Sequence, residues 1–195
     1  MMHKIQCECG SLRGHIDGGG ITSRVICYCS DCQAFAKYLG RPEKVLDAHG
    51  GTDIVQLAQP RLHISDGLEH LALLQLSSKG LFRWYASCCN TPIGNTLNNP
   101  KISFIGLVHS CLDKTWLATD FGQNVAKVNT ESATGGPKAK TSGLLGNVLR
   151  FFGIALSMLI TSKYKASELF SDDGAPIVSP TILTEEQLAQ LKNQT

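Results

Sequence analysis

The sequence lacks a charge excess of either sign, a leader-like apolar start and a long uninterrupted apolar run. Its 195 residues carry 18 Lys plus Arg against 16 Asp plus Glu, a formal net charge of +2. A balance that close to zero gives no basic footprint for nucleic acid and little attraction to an anionic membrane. The opening Met1-Met2-His3-Lys4-Ile5-Gln6 runs straight into cysteine, with no signal-peptide core and no small-residue cleavage site. The expectation is a cytoplasmic protein whose thiols stay reduced. Gly18-Gly19-Gly20 is followed by no Gly-Lys-Ser/Thr and no helix, so it is a hairpin or loop hinge and not a phosphate loop. A hydrophobic fraction of 43% and a charged fraction of 17% are ordinary for a globular chain.

Cysteine is what the chain has in quantity. Seven of its eight cysteines fall in three clusters: Cys7-x-Cys9, Cys27-x-Cys29-x-x-Cys32 and Cys88-Cys89. Thiols one or two residues apart converge where the backbone turns tightly, which suits a metal such as Zn²⁺. The same spacing strains a disulfide within a cluster. Cys27, Cys29 and Cys32 have no histidine or fourth cysteine near them in sequence, and three protein ligands leave an open coordination position. Cys7 and Cys9 must recruit partners from a distance, and Cys88-Cys89 is the remaining cluster, so these two pairs are expected to share a second metal. Gly10 after Cys9, and Asn90 after Cys89, suit knuckles with positive φ. Cys111 stands apart and reads as a small buried residue.

The body reads as mainly β. Ser11 to Ile16, Val25-Ile26, and five further segments between Thr52 and Val108 alternate and are separated by turn residues such as Asp66-Gly67. That spacing favours antiparallel pairing over βαβ units. Gln33 to Leu39 suggests one or two helical turns, stopped by Gly40 and Pro42. Residues 1–128 form the predicted β domain, residues 129–142 a linker containing Gly135-Gly136-Pro137, and residues 143–195 a C-terminal extension. Within the extension Leu144, Leu145, Val148, Leu149, Phe152, Leu156, Leu159 and Ile160 recur at helical spacing, opposite Gly146, Asn147, Arg150 and Ser157. Arg150 and the internal glycines argue against a membrane span. The apolar stripe of residues 144–160 is expected to dock on the β body or on a second copy in a homodimer, with peripheral membrane contact as the alternative. Thr184-Glu185-Glu186-Gln187-Leu188 predicts a short capped helix.

Cys7-x-Cys9-Gly10, Cys27-x-Cys29-x-x-Cys32 and Cys89-Asn90-Thr91-Pro92-Ile93 together resemble the glutathione-dependent formaldehyde-activating enzyme (GFA) or CENP-V domain family, over roughly residues 3 to 110. The resemblance implies an Mss4-like fold of antiparallel sheets, a β-tent built around zinc–cysteine sites. It implies a structural zinc on Cys7, Cys9 and Cys89, and a second, open zinc on Cys27, Cys29 and Cys32. The implied activity is that of a zinc-dependent carbon–sulfur lyase acting on a small thiol or a thiol–aldehyde adduct, with glutathione as the family's thiol. One departure stands out. The family's last motif is Cys-x-x-Cys-Gly, but here its first cysteine falls on Ala86 and its glycine on Asn90, so Cys88 would have to serve as the fourth ligand. Adjacent cysteines are expected to point their side chains apart. The alternative function is a non-enzymatic zinc module that binds a protein.

The remaining polar residues carry less. Arg24, Lys37 and Arg41 flank the middle cluster and could meet carboxylates, though solvated surface charge is the default. His63, His70 and His109 are read as packing or surface residues before proton shuttles.

Overall fold

The computed structural model describes residues 2–136 and 139–193. Met1 of the predicted opening, Pro137 and Lys138 of the predicted linker, and Gln194 and Thr195 lie outside the described residues. The strands begin with β1 (Met2–Gln6), β2 (Arg13–Asp17), β3 (Ser23–Cys27), β4 (Thr52–Ala58) and β5 (Leu62–Asp66). They continue with β6 (Leu71–Gln75), β7 (Phe82–Ala86), β8 (Thr91–Thr96), β9 (Phe104–Val108), β10 (Ala126–Val128) and β11 (Thr181–Ile182). The helices are α1 (Ser30–Tyr38), α2 (Pro42–Val45), α3 (Leu117–Phe121), α4 (Leu144–Ile160) and α5 (Glu185–Asn193). The protein is mainly β, as the alternating segments predict.

β1, β2 and β5 pair antiparallel as a three-stranded sheet. The other strands form an eight-stranded sheet in the order β10-β3-β4-β9-β8-β7-β6-β11. Its interior pairs are antiparallel, whereas β10 on β3 and β11 on β6 run parallel. Parallel edges are a departure from the purely antiparallel expectation. Both edge strands arrive by long connections from the second half of the chain, which parallel pairing requires and a tight hairpin cannot supply.

Alternation along the strands separates the two faces of the large sheet. On the inner face Val55, Leu57, Trp84, Ile93, Ile105 and Leu107 pack against Ile5, Ile16 and Leu62 of the small sheet. Trp84 is fully buried, and its indole N–H donates to Thr96 Oγ1 at 3.0 Å, so no polar atom of the ring is stranded. On the outer face Phe35 of α1 and Leu39, which caps it, pack with Leu74, Leu76 and Leu183, backed by Leu188 of α5. The α5 start is a reciprocal cap. The Gln187 N–H donates to Thr184 Oγ1 at 3.2 Å, and the Thr184 N–H donates to Gln187 Oε1 at 2.9 Å.

Residues 143–193 are threaded into the β body. β11 extends the large sheet, and Leu169 and Phe170 enter the main core, where the Phe170 ring lies 6.0 Å from Phe82 and 6.3 Å from Trp84. The stretch read as a linker is anchored as well. Thr130 is buried, Gln33 Nε2 donates to the Ser132 carbonyl at 2.9 Å, and Lys127 and Ser142 pair through their backbones.

α4 does not lay its apolar stripe on the β body, one of the two dockings expected of it. Leu145, Leu149, Phe152, Leu156 and Ile160 are exposed, while Asn147 and Ile154 are buried against the sheet. Asn147 Nδ2 donates to Ser23 Oγ at 3.0 Å and to Gln56 Oε1 at 2.5 Å, and Phe151 meets Phe104 edge-on at 4.9 Å. Paired polar groups under the helix turn Asn147 inward, and the stripe is carried outward with the opposite face. Among the described residues no helix is long and apolar enough to cross a membrane.

Truncating Phe170→Ala should cost about 3–5 kcal/mol of unfolding free energy in urea denaturation. Leu145→Ala, at an exposed position, should stay within about 0.5 kcal/mol of wild type. Equal midpoints for the two variants would show that the extension does not belong to the core.

Candidate metal centres

Cys7 and Cys9 follow β1, in a knuckle where the Leu12 N–H donates to Cys7 Sγ at 3.3 Å and the Gly10 N–H to the Cys7 carbonyl at 3.0 Å. Gly10 has φ +78°, the left-handed conformation its place after Cys9 predicts. Cys88 and Cys89 occupy the turn between β7 and β8, and Asn90 behind them has φ +54°. That turn keeps the adjacent cysteines from diverging, since their Sγ atoms lie 3.9 Å apart. Cys9 Sγ lies 3.5 Å from Cys7 Sγ and 3.4 Å from Cys88 Sγ, and Cys7 Sγ is 3.8 Å from Cys88 Sγ. Ala86, at the position where a ligand is missing, is buried in β7 as part of the main core.

Four thiolates about 2.3 Å from one ion at tetrahedral angles sit about 3.8 Å from each other. A disulfide would bring two sulfurs to about 2.05 Å. The donor set of Cys7, Cys9, Cys88 and Cys89 therefore fits a metal ion. Its thiols are unequal. Hydrogen bonds with Ser11, then with Cys88 and Cys89, hold Cys9 down to about 6, whereas burial pushes Cys7 and Cys88 up. Glu8 of the knuckle is paired with Arg41 and Lys44, and Arg41 also donates to the Cys89 carbonyl at 2.6 Å. Arg41 thus braces this first cluster and not the middle one that it flanks in sequence.

The middle cluster is built on a helix start. Cys29 is the N-cap of α1, its Sγ accepting the Cys32 N–H at 3.4 Å, so the helix begins at Ser30 and carries Cys32 in its first turn. Cys27 ends β3 beside it. The ligand atoms of Cys27, Cys29 and Cys32 lie within 4.8 Å of one another, and among the described residues no other His, Cys, Asp or Glu joins this group. Hydrogen bonds from Cys29 and Cys32, with a smaller one from Asn129, hold Cys27 down to about 2 despite its burial. Those same bonds to Cys27 push Cys29 and Cys32 up. All three thiols stand at the N-terminal end of α1, whose dipole favours negative charge there.

These three thiols line a cavity of about 370 Å³ on the outer face of the large sheet. Ile54, Leu97, Phe104, Val128 and Phe151 give it apolar walls, and Gln56, Arg83 and Asn95 give it polar groups. Arg83 is only 3% exposed. Its Nη1 donates to Asn95 Oδ1 at 3.2 Å and its plane stands over the Phe35 ring at 5.4 Å, but its Nε–H has no hydrogen-bond partner. A buried guanidinium with an unused donor is costly unless an anion or ligand acceptor meets it.

Sequence reasoning passed over Arg83 and Asn129. The only trace of Arg83 is its place between core residues Phe82 and Trp84, where alternation turns it to the opposite face. Asn129 falls in the stretch read as linker, yet its Nδ2 donates to Cys27 Sγ at 3.3 Å. Arg24 is held bidentately by Asp53 at 2.6 and 3.1 Å. Cys111 is buried, bonded to the Val108 and Ile93 carbonyls, and pushed up to about 12 by burial.

Fold and clusters define a mainly β protein with two cysteine groups suited to a metal ion. Residues 2–179 match the model of a family of unknown function, DUF6151, and the chain belongs to that family. No curated protein matches the chain. Among solved structures, a Rhodobacter sphaeroides protein from a structural genomics programme is similar at 19% identity and a TM-score of 0.41, over 57% of this chain and 88% of that one.

Protein purified without added metal or chelator should carry two metal ions per chain by elemental analysis. Cys29→Ser and Cys88→Ser should each lose one, and Cys111→Ser neither. Equal metal content in wild type and Cys29→Ser would remove the middle cluster as a ligand set.

Proposed function

We propose that the protein is a zinc-dependent enzyme of carbon–sulfur bond chemistry, acting on a small thiol or its aldehyde adduct in an Mss4-like β-tent. Thiolate-rich tetrahedral spacing favours Zn²⁺ over harder ions. The Cys7, Cys9, Cys88 and Cys89 group is its structural site, and Cys27, Cys29 and Cys32 its working site. The observation that carries the reading is a three-thiol set opening onto a 370 Å³ cavity that also holds a buried arginine with a free donor. Zn²⁺ on three thiolates supplies a Lewis-acid position for a substrate sulfur or carbonyl oxygen.

The chain's own residues do the rest. Asn129 orients Cys27 through its Nδ2 donor and adds to the hydrogen bonds from Cys29 and Cys32 that favour its thiolate. Asn95 fixes one edge of the Arg83 guanidinium, whose positive charge at the cavity wall would meet a substrate carboxylate. Ile54, Phe104, Val128 and Phe151 exclude water around the reacting sulfur and strengthen these polar contacts. A small thiol bearing a carboxylate, of the glutathione type, satisfies both ends of the cavity. A zinc module that binds a protein is the second reading, favoured by the exposed apolar stripe of α4.

Two-dimensional exchange NMR on glutathione plus formaldehyde should show adduct exchange accelerated by the metal-loaded protein and not by Cys29→Ser. Arg83→Gln should raise KM for glutathione about 10–100-fold, the value of a charge-assisted hydrogen bond, with little change for 2-mercaptoethanol. No acceleration with either thiol by the fully loaded protein would rule out this chemistry and leave the binding module.

A further inference from the structure

The outer face of the small sheet carries a third cluster that neither thiol site uses. His15-Ile16-Asp17 lies on β2 with Ile16 turned into the core, so His15 and Asp17 share the outward face. β5 brings His63 directly opposite His15. The two imidazoles stack with centroids 5.0 Å apart. Gly14 lets the strands meet this closely, because a Cβ there would stand 2.1 Å from the His63 carbonyl oxygen. A bulge between Arg13 and Gly14 adjoins the site.

Both Nε2 atoms face one carboxylate. His15 Nε2 is 3.5 Å from Asp17 Oδ1 and His63 Nε2 is 3.2 Å from Asp17 Oδ2. The three side chains each offer a ligand atom within 4.8 Å of the others. Behind His63, Glu168 Oε1 accepts from Nδ1 at 2.8 Å, and its Oε2 accepts the Ile64 N–H at 2.9 Å. A carboxylate can only accept, so Nδ1 of His63 donates to Glu168, and Nε2 is the nitrogen turned to Asp17, free to give its lone pair to a cation that stands between them. That is the carboxylate–histidine arrangement which orients an imidazole towards a metal. Glu168 is itself held in place, flanked by buried Ser167 and Leu169, with Ser167 Oγ donating to Gln59 Oε1 at 2.6 Å. An ion-pair clasp would need one histidine. Two stacked imidazoles repel when both are protonated, whereas as neutral ligands they share one cation favourably.

We propose that His15, Asp17 and His63 form a third metal site, selective for a borderline divalent ion such as Zn²⁺, with Glu168 as the positioning residue of His63. Two nitrogens and one carboxylate are a zinc donor set that leaves a coordination position for water. The site is exposed and lacks thiolates, so it fills after the cysteine clusters.

Equilibrium dialysis of the full-length protein, its thiol clusters already loaded, should show one further Zn²⁺ bound per chain. NMR resonances of the His15 and His63 rings should shift with that step. His15→Gln and His63→Gln should each abolish the extra ion while keeping the thiol-bound metal and a wild-type circular dichroism spectrum. Glu168→Gln should weaken it about 10–100-fold. Cys29→Ser should retain the third site, which separates this proposal from the reading of the middle cluster. No further Zn²⁺ in the wild type, or its retention in both histidine variants, would overturn the site.

Discussion

Four sulfurs, all within 4.8 Å of one another, join the two sheets at one end. Cys7 and Cys9 leave the first strand of the small sheet, and Cys88 and Cys89 cap the β7–β8 turn of the large one. Ionised thiols this close repel, so their convergence is a cost to folding until a cation neutralises it, after which it becomes a contribution. The Glu8, Arg41 and Lys44 contacts brace the same corner and position α2 beside it. The two-sheet core begins directly behind, with Cys7 itself packed among the core residues.

A single sheet then does two jobs because its faces alternate. Trp84 fills the core and Arg83, its neighbour, lies in the cavity of the middle cluster. Val55 packs inward while Ile54 and Gln56 line the opposite side. The shape of the cavity is therefore tied to core packing, and a change at one face shifts residues on the other. α4 closes part of the cavity through Phe151, held there by the buried Asn147 contacts. What that leaves on its outer surface is a stripe of leucines and Phe152 in solvent.

Local features were the legible ones. The knuckles after Cys9 and Cys89 follow from residues that tolerate positive φ, and the Thr184–Gln187 cap follows from a pattern four residues long. Strand alternation placed most of the β body, including β4, β6 and β9. The pairing of Cys88 and Cys89 with the first cluster was inferred by elimination, but adjacency suggested diverging side chains. Asn90 in the left-handed region reverses that suggestion. Docking of the α4 stripe on the β body failed for a related reason, since periodicity reports that a helix is two-faced and not which face finds hydrogen-bond partners beneath it.

By itself, the sequence determined the thiol clusters, the turns that shape them and the mainly β character of the chain, because each rests on residues close in sequence. Tertiary structure alone decided which distant groups share a site. Arg83 and Asn129 reach the middle cluster through strand facing and an edge strand, and His15 meets His63 through the register of β2 on β5. Such meetings depend on the alignment of strands far apart in the chain, where a slip of one residue would turn every side chain to the other face.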